Sequence, residues 1–186
     1  MTAAREPVPA GSTVRFHTTA RFTLESGDVL RDVRQAYVLE GTLNERKDNL
    51  VVVFHSLTGS PETIGGWKGS VIGQGKAIDT NRWAVLCPNL LGSCYGTTFK
   101  RFLRRKEGSG GREAHSAHFS LTTRDQALFT ENLLTALHVD RPALVTGGSL
   151  GGMVALEFAA SFPDRFGAAV VFAAPAARCP AAAISG

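Results

Sequence analysis

Apolar residues fall along this chain in two rhythms. In the first fifty positions they come as short stretches, at 14–16, 21–24 and 35–39, set apart by polar residues and by the turn Ser26-Gly27-Asp28. Such stretches predict short strands forming an antiparallel edge. From residue 50 onward the runs become continuous, at 50–54, 83–87, 143–146 and 168–173, the pattern of parallel strands covered on both faces. Ahead of the third run, residues 124–138 carry Leu133, Leu134 and Leu137 on one helical face, and Thr123 with Gln126 reads as a capping box at the start. Strands alternating with helices predict an α/β fold, one domain over residues 1–186 with a doubly wound sheet. No internal repeat interrupts the pattern.

The break between the run at 143–146 and the apolar helical pattern after it carries the chemistry. It reads Gly147-Gly148-Ser149-Leu150-Gly151-Gly152, so Gly-x-Ser-x-Gly sits between a strand and a helix of about three turns that ends near Phe162-Pro163-Asp164. A serine on a sharp strand-to-helix turn needs glycines around it so that the backbone can bend and pack closely. Its hydroxyl then stands above the sheet, and the helix N-terminus behind it favours developing negative charge. That geometry suits acyl transfer with Ser149 as nucleophile. Read without its context, the same stretch is only a flexible glycine-rich turn.

An oxyanion needs two donors. The N–H of Leu150, just after the nucleophile, supplies one, and the turn His55-Ser56-Leu57-Thr58-Gly59 after the strand at 50–54 supplies the other through Leu57 N–H. The side chains of His55 and Thr58 have two readings, turn hydrogen bonds or site chemistry. The segment from Cys87 to Thr98 leaves a buried strand at the end where such sheets bind ligands, and its small polar residues can line a pocket.

Composition changes this picture little. With 44% hydrophobic and 19% charged residues the chain is an ordinary globular protein, neither disordered nor fibrous. The formal charge of +4 comes partly from Lys100, Arg101, Arg104, Arg105, Lys106 and Arg112. No nucleic-acid-binding motif accompanies them, so the basic, glycine-rich stretch 99–119 reads as a solvated, flexible loop, with an anionic cosubstrate as a further option. Cys87, Cys94 and Cys179 have no metal-ligand spacing, and no signal-peptide or membrane-span pattern occurs; a cytoplasmic protein without metal is expected.

Taken together, Leu57-Thr58-Gly59, the Gly75–Thr80 block, the Cys87–Thr97 block with Asn89 and Tyr95, Thr123-Arg124-Asp125 and Gly147–Met153 resemble the homoserine O-acetyltransferase family, in the same order, from about residue 20 to about 180. The resemblance implies an α/β-hydrolase-like, mostly parallel doubly wound sheet. It also implies transfer of acetyl from acetyl-CoA to homoserine on the path to methionine, by way of a Ser149 acyl-enzyme, with Leu57 and Leu150 holding the oxyanion. Acetyl-CoA is then a cosubstrate and no bound cofactor is required. Thr58, Asn89 and Tyr95 become substrate-binding candidates, and a homodimer is left open. Two departures stand out: Leu150 replaces the family's usual methionine, and the basic loop replaces a Ser-, Pro- and Gly-rich segment.

A serine nucleophile also needs a histidine base and an acid to orient it, and in this fold both follow the serine. Residues 150–186 contain no histidine, and Asp164 lies in a Phe-Pro-Asp-Arg turn that suits capping or solvation. Of the upstream histidines, His17, His55, His115, His118 and His138, none stands where the fold expects a base. The expectation is therefore an N-terminal portion, C-terminally incomplete and of little activity alone. An esterase or deacetylase, a succinyl donor, a serine acceptor and a non-catalytic remnant are the competing readings.

Overall fold

The computed structural model describes residues 13–62, 64–97 and 121–175. Strands β1 (Arg15–Thr23) and β2 (Val29–Glu40) form an antiparallel hairpin. The stretches expected at 14–16 and 21–24 merge into β1, apart from Val14 and Leu24 just outside it: the polar residues between them keep the ladder, with Thr18 opposite Arg34 and Thr19 opposite Val33, because an edge strand needs no apolar run. The turn falls where Ser26-Gly27-Asp28 placed it, with Gly27 at φ 87° and Leu24 N–H donating to the Asp28 carbonyl at 2.8 Å.

The remaining strands are β3 (Leu50–Phe54), the short β4 (Ile72–Gly73) and β5 (Ile78–Asp79), β6 (Ala84–Pro88), β7 (Leu144–Gly148) and β8 (Ala168–Phe172); α1 (Thr123–Ala136) precedes β7, and α2 (Leu150–Ser161) joins β7 to β8. Six of them make a sheet in the order β1-β2-β6-β3-β7-β8, parallel from β6 to β8 and antiparallel across β1, β2 and β6. β4 and β5 pair separately.

Alternation along β3 divides the core. Leu50, Val52 and Phe54 meet Ala127, Leu133 and Leu134 of α1 and Val154, Ala155 and Phe158 of α2. Val51 and Val53 face the other way, onto Ile64, Ile72 and Trp67. Both faces of the central strands are thus covered, as their continuous apolar runs require, and each fully buried side chain of this kind contributes about 1.5–3 kcal/mol. Among the described residues the α-helices lie on one face, and the segment from residue 61 to 83, with a single 3-10 turn (Ile64–Gly66), covers the other.

Two expectations need correction. The capping box of α1 is Thr122 with Asp125, not Thr123 with Gln126: Thr122 is the extended residue (φ −103°, ψ 166°), and its hydroxyl accepts from Asp125 N–H at 3.2 Å while Asp125 accepts from Thr122 N–H at 2.9 Å. Gln126, one position further on, is free to turn inward. The run at 168–173 forms β8 as expected, but it is mostly exposed rather than buried on both faces; among the described residues it pairs only with β7 and ends the sheet, and little packs over its side chains. The basic stretch 99–119 lies outside the described residues.

Candidate active site

β7 ends in Gly147-Gly148, and Ser149 follows at φ 55°, ψ −125°, a backbone region that costs an ordinary residue about 1–3 kcal/mol. Neighbouring atoms hold it there. Ser149 N–H donates to the Phe172 carbonyl of β8 at 3.1 Å, and its own carbonyl accepts from Met153 N–H at 3.0 Å in the first turn of α2. A Cβ at Gly147 would stand 2.4 Å from the Gly151 carbonyl oxygen, and one at Gly151 would stand 2.1 Å from the Phe54 carbonyl oxygen. Only glycine lets the turn close on itself and on the end of β3. The Ser149 side chain is exposed and makes no capping hydrogen bond with α2, which leaves its hydroxyl available.

The close approach at Gly151 brings the two expected oxyanion segments together. Leu57 and Leu150 line one cavity of about 880 Å³, together with His55, Gln126, Met153 and Glu157. Its size suits a small-molecule ligand. Glu157, two turns past Ser149 on α2 and hydrogen-bonded by Ser161 Oγ at 3.0 Å, gives no sequence signal because it reads as one more polar position of a helix. It contributes the carboxylate of the described lining.

The other candidates are placed differently. Thr58 and Tyr95 are exposed and lie outside this lining. Asn89 is fully buried, and its carboxamide donates to the Tyr95 carbonyl at 3.0 Å and to Thr97 Oγ1 at 2.9 Å. Thr97 Oγ1 in turn accepts from Ala36 N–H of β2 at 3.1 Å. Asn89 therefore ties the loop after β6 to the sheet and has no exposed surface to offer a ligand. Gln126 does comparable work from α1, accepting from Leu91 N–H at 2.7 Å and donating to the Leu91 carbonyl at 3.0 Å. A buried glutamine on a helix face gives no sequence signal for such a clamp.

His55 lies at the centre of these loops with 1% of its surface exposed. Its Nδ1 is 2.7 Å from the Ser56 carbonyl oxygen, which can only accept, so Nδ1 carries the proton. Nε2 then accepts from Leu90 N–H at 3.2 Å, and Asn89 Oδ1 lies 3.0 Å from the same nitrogen. Burial lowers the pKa of His55 from 6.5, while the Ser56 carbonyl and Asn89 Oδ1, two acceptors that favour the protonated ring, pull the opposite way. With both nitrogens occupied, this ring is not free to take a proton from Ser149. His17 Nε2 is engaged with Asn132 at 3.3 Å, and His138 follows the C-terminal end of α1. His115 and His118 lie outside the described residues. Asp164 is exposed in the turn after α2. Among the described residues no group of three or more His, Cys, Asp and Glu side chains could hold a metal ion, and no helix is long and apolar enough to cross a membrane.

The chain is similar to known proteins over most of its length. It is 42% identical to a homoserine O-acetyltransferase from Leifsonia xyli subsp. xyli over 181 residues, which are 92% of this chain and 44% of the relative. Of solved structures, the homoserine O-acetyltransferase of Staphylococcus aureus superposes with a TM-score of 0.72 at 28% identity, covering 90% of this chain and 48% of that one. An acetylester hydrolase from Corynebacterium glutamicum superposes with a TM-score of 0.74 at 25% identity, covering 90% and 46%. The chain thus spans about half the length of the relatives it matches. Residues 49–183, from the start of β3 through the nucleophile turn and beyond β8, match the family model of the alpha/beta hydrolase fold, and the chain belongs to that family.

Proposed function

We propose that this chain carries the nucleophile and oxyanion donors of an acyltransferase that moves an acetyl group from acetyl-CoA to the hydroxyl of homoserine. Ser149 Oγ attacks the thioester carbonyl, its proton passing to a base, and the oxygen that becomes negative is held by the N–H groups of Leu57 and Leu150. The thioester bond breaks, CoA leaves as the thiol with a proton, and the acetyl group stays on Ser149. The homoserine hydroxyl then attacks this ester, gives up its proton and releases Ser149. The single observation behind this reading is the strained, exposed Ser149 followed directly by Leu150, which lines one cavity together with Leu57, in a chain 42% identical to a protein named for this activity. The protein is read as a cytoplasmic enzyme of the methionine path, with acetyl-CoA as cosubstrate and without a metal or prosthetic group.

The likeness to an acetylester hydrolase supports a second reading, in which water takes the place of homoserine. The two part at the second step. The decisive experiment follows CoA release and acetyl-homoserine formation by the natural gene product, with and without homoserine, beside Ser149→Ala. Acetyl-homoserine formation that falls by about a thousandfold or more in the variant is expected. Ser149-dependent release of acetate unaffected by homoserine would establish the hydrolase instead, and equal rates in the variant would overturn both.

A further inference from the structure

The peptide unit between Ser56 and Leu57 joins two observations. Its carbonyl oxygen accepts from His55 Nδ1–H at 2.7 Å and from Gly59 N–H at 3.0 Å. Its N–H is that of Leu57. A trans peptide is planar, and its C=O and N–H point in opposite directions, so whatever fixes the carbonyl also aims the amide. We infer that His55 is a positioning residue that aims the Leu57 N–H at the oxyanion; this rests on the acyl-transfer reading above.

The ring is well placed for that task. It is itself held at its far side, where Nε2 accepts from Leu90 N–H on the loop after β6, and that loop is fastened to β2 by Asn89 N–H donating to the Ala36 carbonyl at 2.8 Å. Gly59 closes the turn against the same residue, since a Cβ there would stand 3.0 Å from His55 Cβ. Leu57, by contrast, has 71% of its surface exposed. Packing of its side chain does little to set its amide, and the restraint in view is the one through the Ser56 carbonyl.

The two nitrogens can be tested apart. In His55→Asn the amide nitrogen takes the place of Nδ1 and can still donate to Ser56. In His55→Gln the carboxamide takes the place of Nε2 and keeps Leu90, leaving the Ser56 carbonyl without that donor. An oxyanion donor acts in the transition state more than in substrate binding, so kcat rather than KM should respond. Measured on the natural gene product, His55→Gln is expected to lower kcat about 10–100-fold with KM within about threefold, while His55→Asn keeps kcat within about threefold. In parallel, the 15N order parameter of the Leu57 amide is expected near 0.85 in the unaltered protein and in His55→Asn, and below about 0.6 in His55→Gln. Equal behaviour of the two variants overturns the inference. So does a ring 15N spectrum of the unaltered protein showing the proton on Nε2, which needs no variant to fold. Absence of Ser149-dependent acylation would remove the acyl-transfer reading, and the amide measurement would still decide whether His55 fixes the peptide.

Discussion

At Ser149 and His55 the same physical trade is made: a residue is held in a costly state by neighbours that cannot be moved. For Ser149 the cost is backbone conformation, and the restraints are the Phe172 carbonyl and the glycines that let α2 press against β3. For His55 the cost is desolvation, and it has a pH signature. Its folded pKa lies below 6.5, so on acidification the unfolded chain takes up this proton first, and stability is lost as pH falls below 6.5 toward the folded value. The melting temperature of the protein should therefore drop as pH goes from about 7 to about 5.5, with a shallower drop in His55→Asn, which cannot titrate there. Identical slopes in thermal scans of the two proteins would refute the assignment. The serine was legible in the sequence because its glycines are. The buried work of His55 and Asn89 was not, because a turn histidine and a pocket asparagine look alike in one dimension whether they face a ligand or a loop.

Among the elements, α1 shows how a short motif acquires a long reach. Asp125 completes the capping box with Thr122, and its other oxygen accepts from Glu25 N–H at 2.7 Å in the β1–β2 turn, a hundred residues earlier. One buried carboxylate therefore fastens both the helix start and the hairpin. Asp125→Ala is expected to cost roughly 2–3 kcal/mol, the sum of a lost cap and a lost charged hydrogen bond, measured by urea unfolding; a loss below about 0.5 kcal/mol would show that the hairpin does not depend on it. The helix itself and the four continuous strands were readable from period and run length, to within two residues at their ends. The capping box slipped by one position because Thr122 and Thr123 are equally good caps in sequence, and the choice between them is made by Asp125 reaching the hairpin, a contact that local pattern does not contain.

On the scale of the whole molecule, the sheet is covered in the middle and, among the described residues, open at β8. Val170 and Phe172 of β8 are 44% and 52% exposed, and Phe172 rests its ring against Trp67 at 5.5 Å. The run that forms β8 reads like a covered strand because apolar content reports what a strand suits, not which neighbours it meets. A free apolar edge is a template for pairing with another chain. The 186-residue chain is accordingly expected to self-associate at micromolar concentration, and Val170→Lys to reduce this, as seen by sedimentation velocity; equal association of the two chains would place the contact elsewhere. The dependence of Ser149 on β8 has a consequence for synthesis. Among the described residues, the contacts that set its backbone reach no later than Phe172. During synthesis the nucleophile turn can therefore close as soon as β8 has formed, with no described contact waiting on a later residue.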